Sequence, residues 1–115
     1  RHGYNFRHGT GHGVGIHVHE GGVRISPLSD APMKEGQVVS IEPGIYEPGY
    51  AGVRLENIAY VEAHPEHSGY LRFRPLVYIG FEPKLIDESL LTSEEKGWLD
   101  NYEAECAKRG TSFRE

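Results

Sequence analysis

Four of the seven histidines of the chain lie in one short, glycine-rich stretch near its start. They are His8, His12, His17 and His19, with four glycines interspersed among them. Imidazole is the commonest neutral metal ligand and the usual acid–base group near neutral pH. Glycine lets the backbone approach a ligand closely. The stretch therefore predicts a metal or acid–base site, in preference to a loop whose histidines are merely exposed.

Two glutamates stand in segments with the β-branched composition of strands. Glu42 closes the run 37–42, and Glu56 lies inside the run 52–61. Because side chains alternate between the two faces of a strand, Arg54 shares a face with Glu56. An antiparallel pairing of the two runs is expected to bring the two glutamates close together.

Neighbouring carboxylates in a sheet need a cation. A charged carboxylate that faces into a sheet is costly unless it is paired or bound to a metal, and Glu42 and Glu56 would also repel each other. With His12, they form a ligand set that favours Mn, Co, Zn or Fe(II) over Ca or Mg. An ordinary hairpin with two solvent-facing glutamates fits the same pattern, which leaves both interpretations open.

Several strands are predicted to position these side chains. Residues 1–15 have the glycine content of a loop, and the alternation of residues 16–19 indicates a strand that Gly21 and Gly22 end. Pro75 indicates that the last strand is an edge strand or carries a bulge. Further strands are predicted at 23–25, 37–42, 52–61 and 70–79. Together they predict an antiparallel sheet.

The end of the chain carries the signals of a single helix. Thr92 and Glu95 form a capping box that predicts a helix from about 93 to 108. Gly110 is the natural stop. The inward face of this helix is predicted from residues spaced three and four apart, namely Trp98, Leu99, Tyr102 and Cys106. The fold class is therefore α+β, with an antiparallel sheet and a C-terminal helix.

Composition narrows the class of protein. The 115 residues carry a net charge of −5, without the basic stripe of a nucleic-acid-binding protein. No apolar run approaches the length of a membrane span, and no signal-peptide pattern is present. Cys106 is the only cysteine, which excludes an internal disulfide and fits a cytoplasmic location. Because the chain opens without methionine, residues 1–115 are expected to be one portion of a longer protein.

Four motifs in order resemble one enzyme family. They are HGTGHGVG at 8–15, VHEG at 18–21, IEPGIY at 41–46 and GVRLEN at 52–57. Together they are similar to the C-terminal half of the catalytic domain of Xaa-Pro aminopeptidase (aminopeptidase P), a member of the pita-bread metallopeptidase group. The closing helix also resembles that of the larger cytosolic enzymes. The resemblance implies the C-terminal half of a pita-bread fold.

The resemblance also implies roles for particular residues. It implies that His12, Glu42 and Glu56 are ligands of two divalent metal ions, with manganese expected, zinc or cobalt as alternatives, and Glu56 bridging both ions. His8 and His19 correspond to catalytic histidines that line the substrate pocket and assist proton transfer. Arg54 corresponds to a catalytic arginine beside the bridging glutamate, and Tyr46 to a tyrosine near the site. The two aspartates that complete the family's ligand set precede this region.

The implied activity is removal of the N-terminal residue from peptides with proline in second position. The chain by itself is expected to be inactive, because it needs the upstream half of the catalytic domain. A homodimer is possible by analogy with large relatives. Prolidase, which cuts dipeptides, is the alternative within the class, and methionine aminopeptidase is disfavoured by the form of the first motif. A non-catalytic pita-bread binding module is the alternative from another class, although such relatives typically lose ligands.

Overall fold

The computed structural model describes residues 3–114, and the first two positions of the predicted loop 1–15 lie outside that range. The chain divides into two compact units, Arg1–Val77 and Tyr78–Glu115. The first unit contains the β-strands and every residue predicted for the site. The second contains the helical segments. No helix among the described residues has the length and apolar character needed to cross a membrane.

Seven strands form within residues 3–114, and all of their pairings are antiparallel. They are β1 (Gly11–Gly13), β2 (Glu20–Ile25), β3 (Val38–Ile41), β4 (Gly44–Glu47), β5 (Ala51–Arg54), β6 (Asn57–Ala63) and β7 (Leu71–Pro75). Five of them make one sheet in the order β2-β1-β3-β6-β7, and β4 pairs with β5 as a separate ribbon. The predicted antiparallel sheet is confirmed. Pro75 lies on the edge strand β7, as its type indicated.

The core of the first unit lies on one face of this sheet. Val39 on β3 stands directly opposite Ala59 on β6, and Val61 is the next inward residue of β6. All three are at most 2% exposed. Val23 belongs to the same cluster, with Ile25, Met33 and Ile41 packed against it. Because each buried aliphatic side chain contributes roughly 1.5–3 kcal/mol, this cluster holds the central strands together.

The predicted strand at 16–19 is wrong, because this segment connects β1 to β2. Ile16 is 97% exposed and Val18 is 70% exposed, so neither side chain has a core to pack on. The connection is closed by local hydrogen bonds. Gly15 N–H donates to the His17 carbonyl, and His17 N–H donates to the Glu20 carboxylate. The alternating residue types of 16–19 therefore lie in a turn and not in a strand.

The glycines on either side of that turn also behave differently from the prediction. The expected loop at 1–15 includes β1, whose backbone pairs with β2 and β3. Gly21 and Gly22 lie inside β2 and do not end a strand. The register shifts there, because Gly13 pairs with Glu20 while His12 pairs with Arg24. Residues 21–23 thus form a bulge, and Gly22 supplies its positive φ of 90°.

The predicted strand at 52–61 is split into β5 and β6. The partner strands explain the split, because β3 and β4 are themselves separated by Glu42 and Pro43. Ile41 pairs with Asn57 and Gly44 pairs with Arg54. The two intervening residues on each side therefore face each other, and Leu55 N–H donates to the Pro43 carbonyl across this break. This placement brings Glu42 and Glu56 to the same point of the fold.

In the second unit, helix α1 (Ser93–Lys108) has the predicted bounds. The Thr92 hydroxyl accepts from Glu95 N–H, and the Glu95 carboxylate accepts from Thr92 N–H, so the capping box is confirmed. Gly110, with a φ of 70°, follows the helix. Two short 3-10 helices, Pro83–Leu85 and Glu88–Leu90, precede it.

The inward face of α1 differs from the prediction at one position. Leu99, Tyr102 and Cys106 are buried as expected, but Trp98 is 58% exposed. Its ring stacks on Tyr102 at a centroid distance of 5.3 Å, so it is covered on one side only. Glu103, which was not predicted for this face, is also buried, at 3% exposure. A glutamate is tolerated there because it accepts hydrogen bonds within the second unit.

Candidate metal centre

Two adjacent strands bring a histidine and a glutamate together. His12 is the central residue of β1, and Glu42 directly follows β3. His12 N–H donates to Ser40 Oγ (3.0 Å), and Glu42 N–H donates to the Thr10 carbonyl (2.6 Å). The chains approach so closely that a Cβ on Gly11 would collide with the Ser40 carbonyl oxygen. Glycine at this position is what allows the approach.

The imidazole of His12 has a defined orientation. Its Nδ1 lies 2.8 Å from the Gly13 carbonyl oxygen. Because a carbonyl only accepts hydrogen bonds, Nδ1 carries the proton, and Nε2 of the neutral ring presents a lone pair. This Nε2 lies 3.4 Å from Oε1 of Glu42, with 20% and 18% of the two side chains exposed. Two acceptors that face each other suit a shared cation, and a backbone-bound Nδ1–H is usual for metal-binding histidines.

Arg54 joins the two glutamates that were predicted to lie close together. Its Nε lies 3.4 Å from Glu56 Oε2 and 4.0 Å from Glu42 Oε2. The pKa of the Arg54 guanidinium is raised from its ordinary value, first by its hydrogen bond and charge interaction with Tyr46 and then by the charges of Glu56 and Glu42. Arg54 therefore stays protonated and offsets the repulsion between the carboxylates.

Tyr46 connects His8 to Arg54. Nδ1 of His8 lies 2.7 Å from the carbonyl oxygen of the next residue, and Nε2 lies 2.6 Å from the Tyr46 hydroxyl. The neutral imidazole therefore accepts a hydrogen bond from the Tyr46 hydroxyl at Nε2. The Tyr46 ring lies across two glycines of the β4–β5 ribbon. It lies so close to them that a Cβ on Gly44 or Gly52 would collide with it. The ribbon is thereby shaped to hold this ring.

The remaining two histidines of the stretch differ in their surroundings. His19 lies against His12, with the ring centroids 4.2 Å apart. His17 is exposed on the connection between β1 and β2, and its backbone N–H bonds to Glu20. The structure thus brings His12, His19 and Glu42 into one cluster, and links His8 and Glu56 to it through Tyr46 and Arg54.

A cavity of about 740 Å³ opens beside this cluster. His8, His12, Glu42 and Arg54 contribute to its wall. This volume falls within the range of about 300–1,000 Å³ that is typical of small-molecule sites. Every wall residue belongs to the first unit, so the cavity is formed by the strands and connections described above.

Sequence reasoning assigned no part in the site to three residues that belong to it. Ser40, fully buried, accepts from His12 N–H and donates to Glu42 Oε1 at 3.4 Å. Glu20 and Arg24 lie in the cavity wall. Alternation places Ser40 on the same strand face as Glu42 and was a usable signal. Arg24 carries no comparable signal, since an arginine between two aliphatic strand residues is usually a solvent-facing one.

Two of the described side chains, His12 and Glu42, are candidate donors for a metal ion. Within residues 3–114, no group of three or more His, Cys, Asp or Glu side chains is arranged to hold a metal ion. His12 and Glu42 face each other, whereas Glu56 contacts the Arg54 guanidinium. The imidazole and carboxylate donors fit a divalent transition metal chemically. Two donors do not complete the coordination of such an ion, so the fit is partial.

The chain matches two descriptions of one protein family. Residues 1–63 match metallopeptidase family M24, and residues 69–112 match the C-terminal region of peptidase M24. Proteins named "Probable Xaa-Pro aminopeptidase P" from Sordaria macrospora and Neurospora crassa are each 47% identical to it over 98% of this chain. The matched region is 20% and 18% of those proteins. The chain therefore spans about a fifth of the length of the curated relatives it matches.

A solved structure supports the same relationship. The chain is similar to the crystal structure of X-prolyl aminopeptidase from Caenorhabditis elegans, described as a cytosolic enzyme with a di-nuclear active site. The TM-score is 0.77 at 35% identity, over 95% of this chain and 20% of that one. This match confirms the predicted fold class, the α+β C-terminal half of a pita-bread fold. Since the M24 match covers more than half of its residues, the chain belongs to metallopeptidase family M24.

Proposed function

We propose that this chain is part of the catalytic domain of a metal-dependent Xaa-Pro aminopeptidase. Such an enzyme removes the N-terminal residue from peptides with proline in second position. The observation that carries the proposal is the pairing of His12 Nε2 with Glu42 Oε1 at 3.4 Å. Membership of family M24 and the similarity to Xaa-Pro aminopeptidases P support the reaction and the substrate class.

The proposed metal ligands in this chain are His12, Glu42 and Glu56. His12 and Glu42 already face each other, and Glu56 is proposed as the ligand that two ions share. The C. elegans enzyme is described as having a di-nuclear site, which supports two divalent ions here. Manganese is the proposed metal, with zinc or cobalt as alternatives. When bound, the ions would supply a nucleophile from water at neutral pH.

Three further residues are proposed to act on the peptide or to orient the ligands. His8 and His19 lie on either side of His12 in sequence, and each is proposed to exchange a proton with groups near the scissile bond. Arg54, which contacts both glutamates, is proposed to hold the carboxylates in place. The Tyr46 hydroxyl is proposed to orient the His8 ring, because it donates a hydrogen bond to His8 Nε2 at 2.6 Å.

Two more carboxylate ligands are proposed to come from outside this chain. The absence of a three-donor cluster among residues 3–114 supports this, as does the share of about a fifth that the chain has of its relatives. We therefore expect the 115-residue chain by itself to show no turnover, and the complete protein to be active. A cytoplasmic location is proposed on the similarity to an enzyme described as cytosolic.

The test is hydrolysis of Ala-Pro-Pro by the complete protein with added Mn²⁺. We expect metal-dependent release of alanine, loss of activity with a chelator, and a loss of about 100-fold or more in kcat for Glu56→Ala. Glu47→Ala, in the exposed part of β4, is the matched control and should retain activity. Full activity of Glu56→Ala, or equal activity of the 115-residue chain and the complete protein, would contradict the proposal.

A further inference from the structure

The cavity wall contains an arginine that the metal-centre interactions do not use. Arg24 on β2 is directly opposite His12 on β1 in the strand register. Opposed residues of an antiparallel pair emerge on the same face, with Cβ atoms about 4.5–5.5 Å apart. Consistent with this, both side chains line the same cavity. Arg24 therefore stands within one side-chain length of the His12–Glu42 pair.

The other charged side chains in the cavity wall have partners. Glu42 contacts His12 and Arg54, and Glu20 accepts from His17 N–H at 3.0 Å. Arg24 differs, because its guanidinium makes no hydrogen bond or ion pair with any residue of the described range 3–114. Neither carboxylate of the wall, that of Glu20 or that of Glu42, lies within ion-pair distance of it. Among the described residues, nothing therefore compensates this one positive charge in the cavity.

The geometry points to Arg24 as the binding site for the C-terminal carboxylate of a short peptide substrate. This inference deepens the proposed function and rests on it for the position of the scissile bond at His12 and Glu42. A peptide lying in the cavity has a positively charged amino end, which Arg24 repels, and a negatively charged carboxyl end. A guanidinium binds a carboxylate through two parallel N–H···O bonds.

The dimensions of the cavity fit a peptide of two or three residues. An extended residue spans at most about 3.3–3.6 Å, so the carboxylate of X-Pro or X-Pro-Y lies one or two residues beyond the scissile bond. An arginine on the strand next to His12 reaches over a similar distance. The volume of about 740 Å³ also leaves room for such a ligand. The preferred substrates are therefore short peptide acids.

The experiment compares Ala-Pro-Leu with its C-terminal amide in the complete protein loaded with Mn²⁺. We expect the acid to have a KM about tenfold lower than that of the amide, as a charge-assisted pair would give, with similar kcat. Arg24→Gln should abolish this ratio by raising the KM of the acid alone, and Arg24→Lys should restore part of it. Lys34→Gln removes the same charge outside the cavity wall and should keep the wild-type ratio.

A binding measurement separates this inference from the proposed activity. Calorimetric titration with Pro-Leu and Pro-Leu amide requires no turnover, and the acid should bind about tenfold more tightly to wild type but not to Arg24→Gln. Absence of hydrolysis with this binding preference intact would refute the activity and support the Arg24 site. An equal acid-to-amide ratio in wild type and Arg24→Gln would refute the site. Binding of Ala-Pro-Asp amide as tight as that of the peptide acid would also refute the site, because any carboxylate, and not the C-terminal one, would then be recognised.

Discussion

His12 Nε2 and Glu42 Oε1 lie 3.4 Å apart, and in the neutral state of the imidazole both atoms are hydrogen-bond acceptors. The contact arises because the Gly13 carbonyl accepts a hydrogen bond from Nδ1–H of His12, which directs Nε2 at Glu42. Ser40 supports both partners at once, by accepting from His12 N–H and donating to Glu42. The buried serine is therefore as much part of the centre as the two side chains it connects.

Ser40→Ala should weaken both the fold and the centre. Removal of the buried hydroxyl leaves His12 N–H without its acceptor, which costs about 1–3 kcal/mol of unfolding free energy. Loss of the bond to Glu42 should reduce Mn²⁺ affinity by about tenfold. Denaturant unfolding and metal titration measure the two effects. Ser68→Ala, in an exposed loop, is the control, and equal behaviour of the two variants would show that the Ser40 hydroxyl has no such role.

Tyr46→Phe should lower kcat with little effect on stability. The phenyl ring still fits over Gly44 and Gly52, but the hydroxyl that binds His8 at 2.6 Å and contacts Arg54 is lost. A loss of about 10–100-fold is expected for removal of a group that orients functional side chains. Steady-state kinetics of the complete protein measure it. Tyr50→Phe, in the turn between β4 and β5, should be neutral, and an unchanged kcat in Tyr46→Phe would argue against the link.

Acid stability should depend on Glu62, which pairs with two arginines of β7. Arg74 Nε and Arg72 Nε donate to its carboxylate at 2.9 and 2.8 Å, and they lower its pKa from the ordinary value of 4.5. The ionised carboxylate thus stabilises the fold above pH 4.5, and this contribution is lost as the pH falls through the lower folded pKa.

Carbon NMR of the Glu62 carboxyl against pH checks this prediction directly. The titration midpoint should lie below 4.5 in the wild type and move up in Arg74→Gln, because Arg74 is the largest cause of the shift. In unfolding experiments, Glu62→Gln should reduce the acid-dependent loss of stability. A Glu62 midpoint above its ordinary value would contradict the predicted direction of the pKa shift.

Glu103→Gln should destabilise the second unit. The buried carboxylate accepts from Phe81 N–H at 2.7 Å through one oxygen and from the Ser112 hydroxyl at 2.9 Å through the other. An amide directs an NH₂ group at one of these donors, so an unfolding penalty of about 1–3 kcal/mol is expected. Thermal unfolding measures it. Glu35→Gln, in an exposed turn, should change stability by about 0.5 kcal/mol or less, and a similar small effect at Glu103 would contradict the prediction.

Local signals predicted the parts of the fold that depend on neighbouring residues. The capping box of Thr92 and Glu95 specifies the start of α1 within four residues, and the β-branched run 37–42 forms a strand wherever it finds a partner. The predictions that failed concern features that depend on residues far away in the sequence. Ile16 and Val18 alternate like strand residues, but β1 and β2 require this segment as their connection. Trp98 has the helical spacing of a buried residue but is exposed, whereas Glu103 is buried because its carboxylate accepts from Phe81 N–H and the Ser112 hydroxyl.

The candidate site divides along the same line. The family resemblance implied roles for His12, Glu42 and Arg54. The facing breaks bring Glu42 close to Arg54 and Glu56, and the pairing of β1 with β3 sets His12 beside Glu42. The contact of His8 with Tyr46 joins residues 38 positions apart and has no signature in either segment. Arg24 could be assigned to the site only from the strand register, which sets it opposite His12.

The central claim is that the His12–Glu42 pair binds a divalent metal, and metal stoichiometry tests it most directly. The complete protein, loaded with Mn²⁺ and freed of excess ion, is analysed for bound manganese as wild type, Glu42→Gln and the exposed control Glu47→Gln. We predict about two ions per molecule in wild type and the control, and at least one fewer in Glu42→Gln. Full retention of manganese in Glu42→Gln would contradict the assignment of Glu42 as a ligand and, with it, the proposed centre.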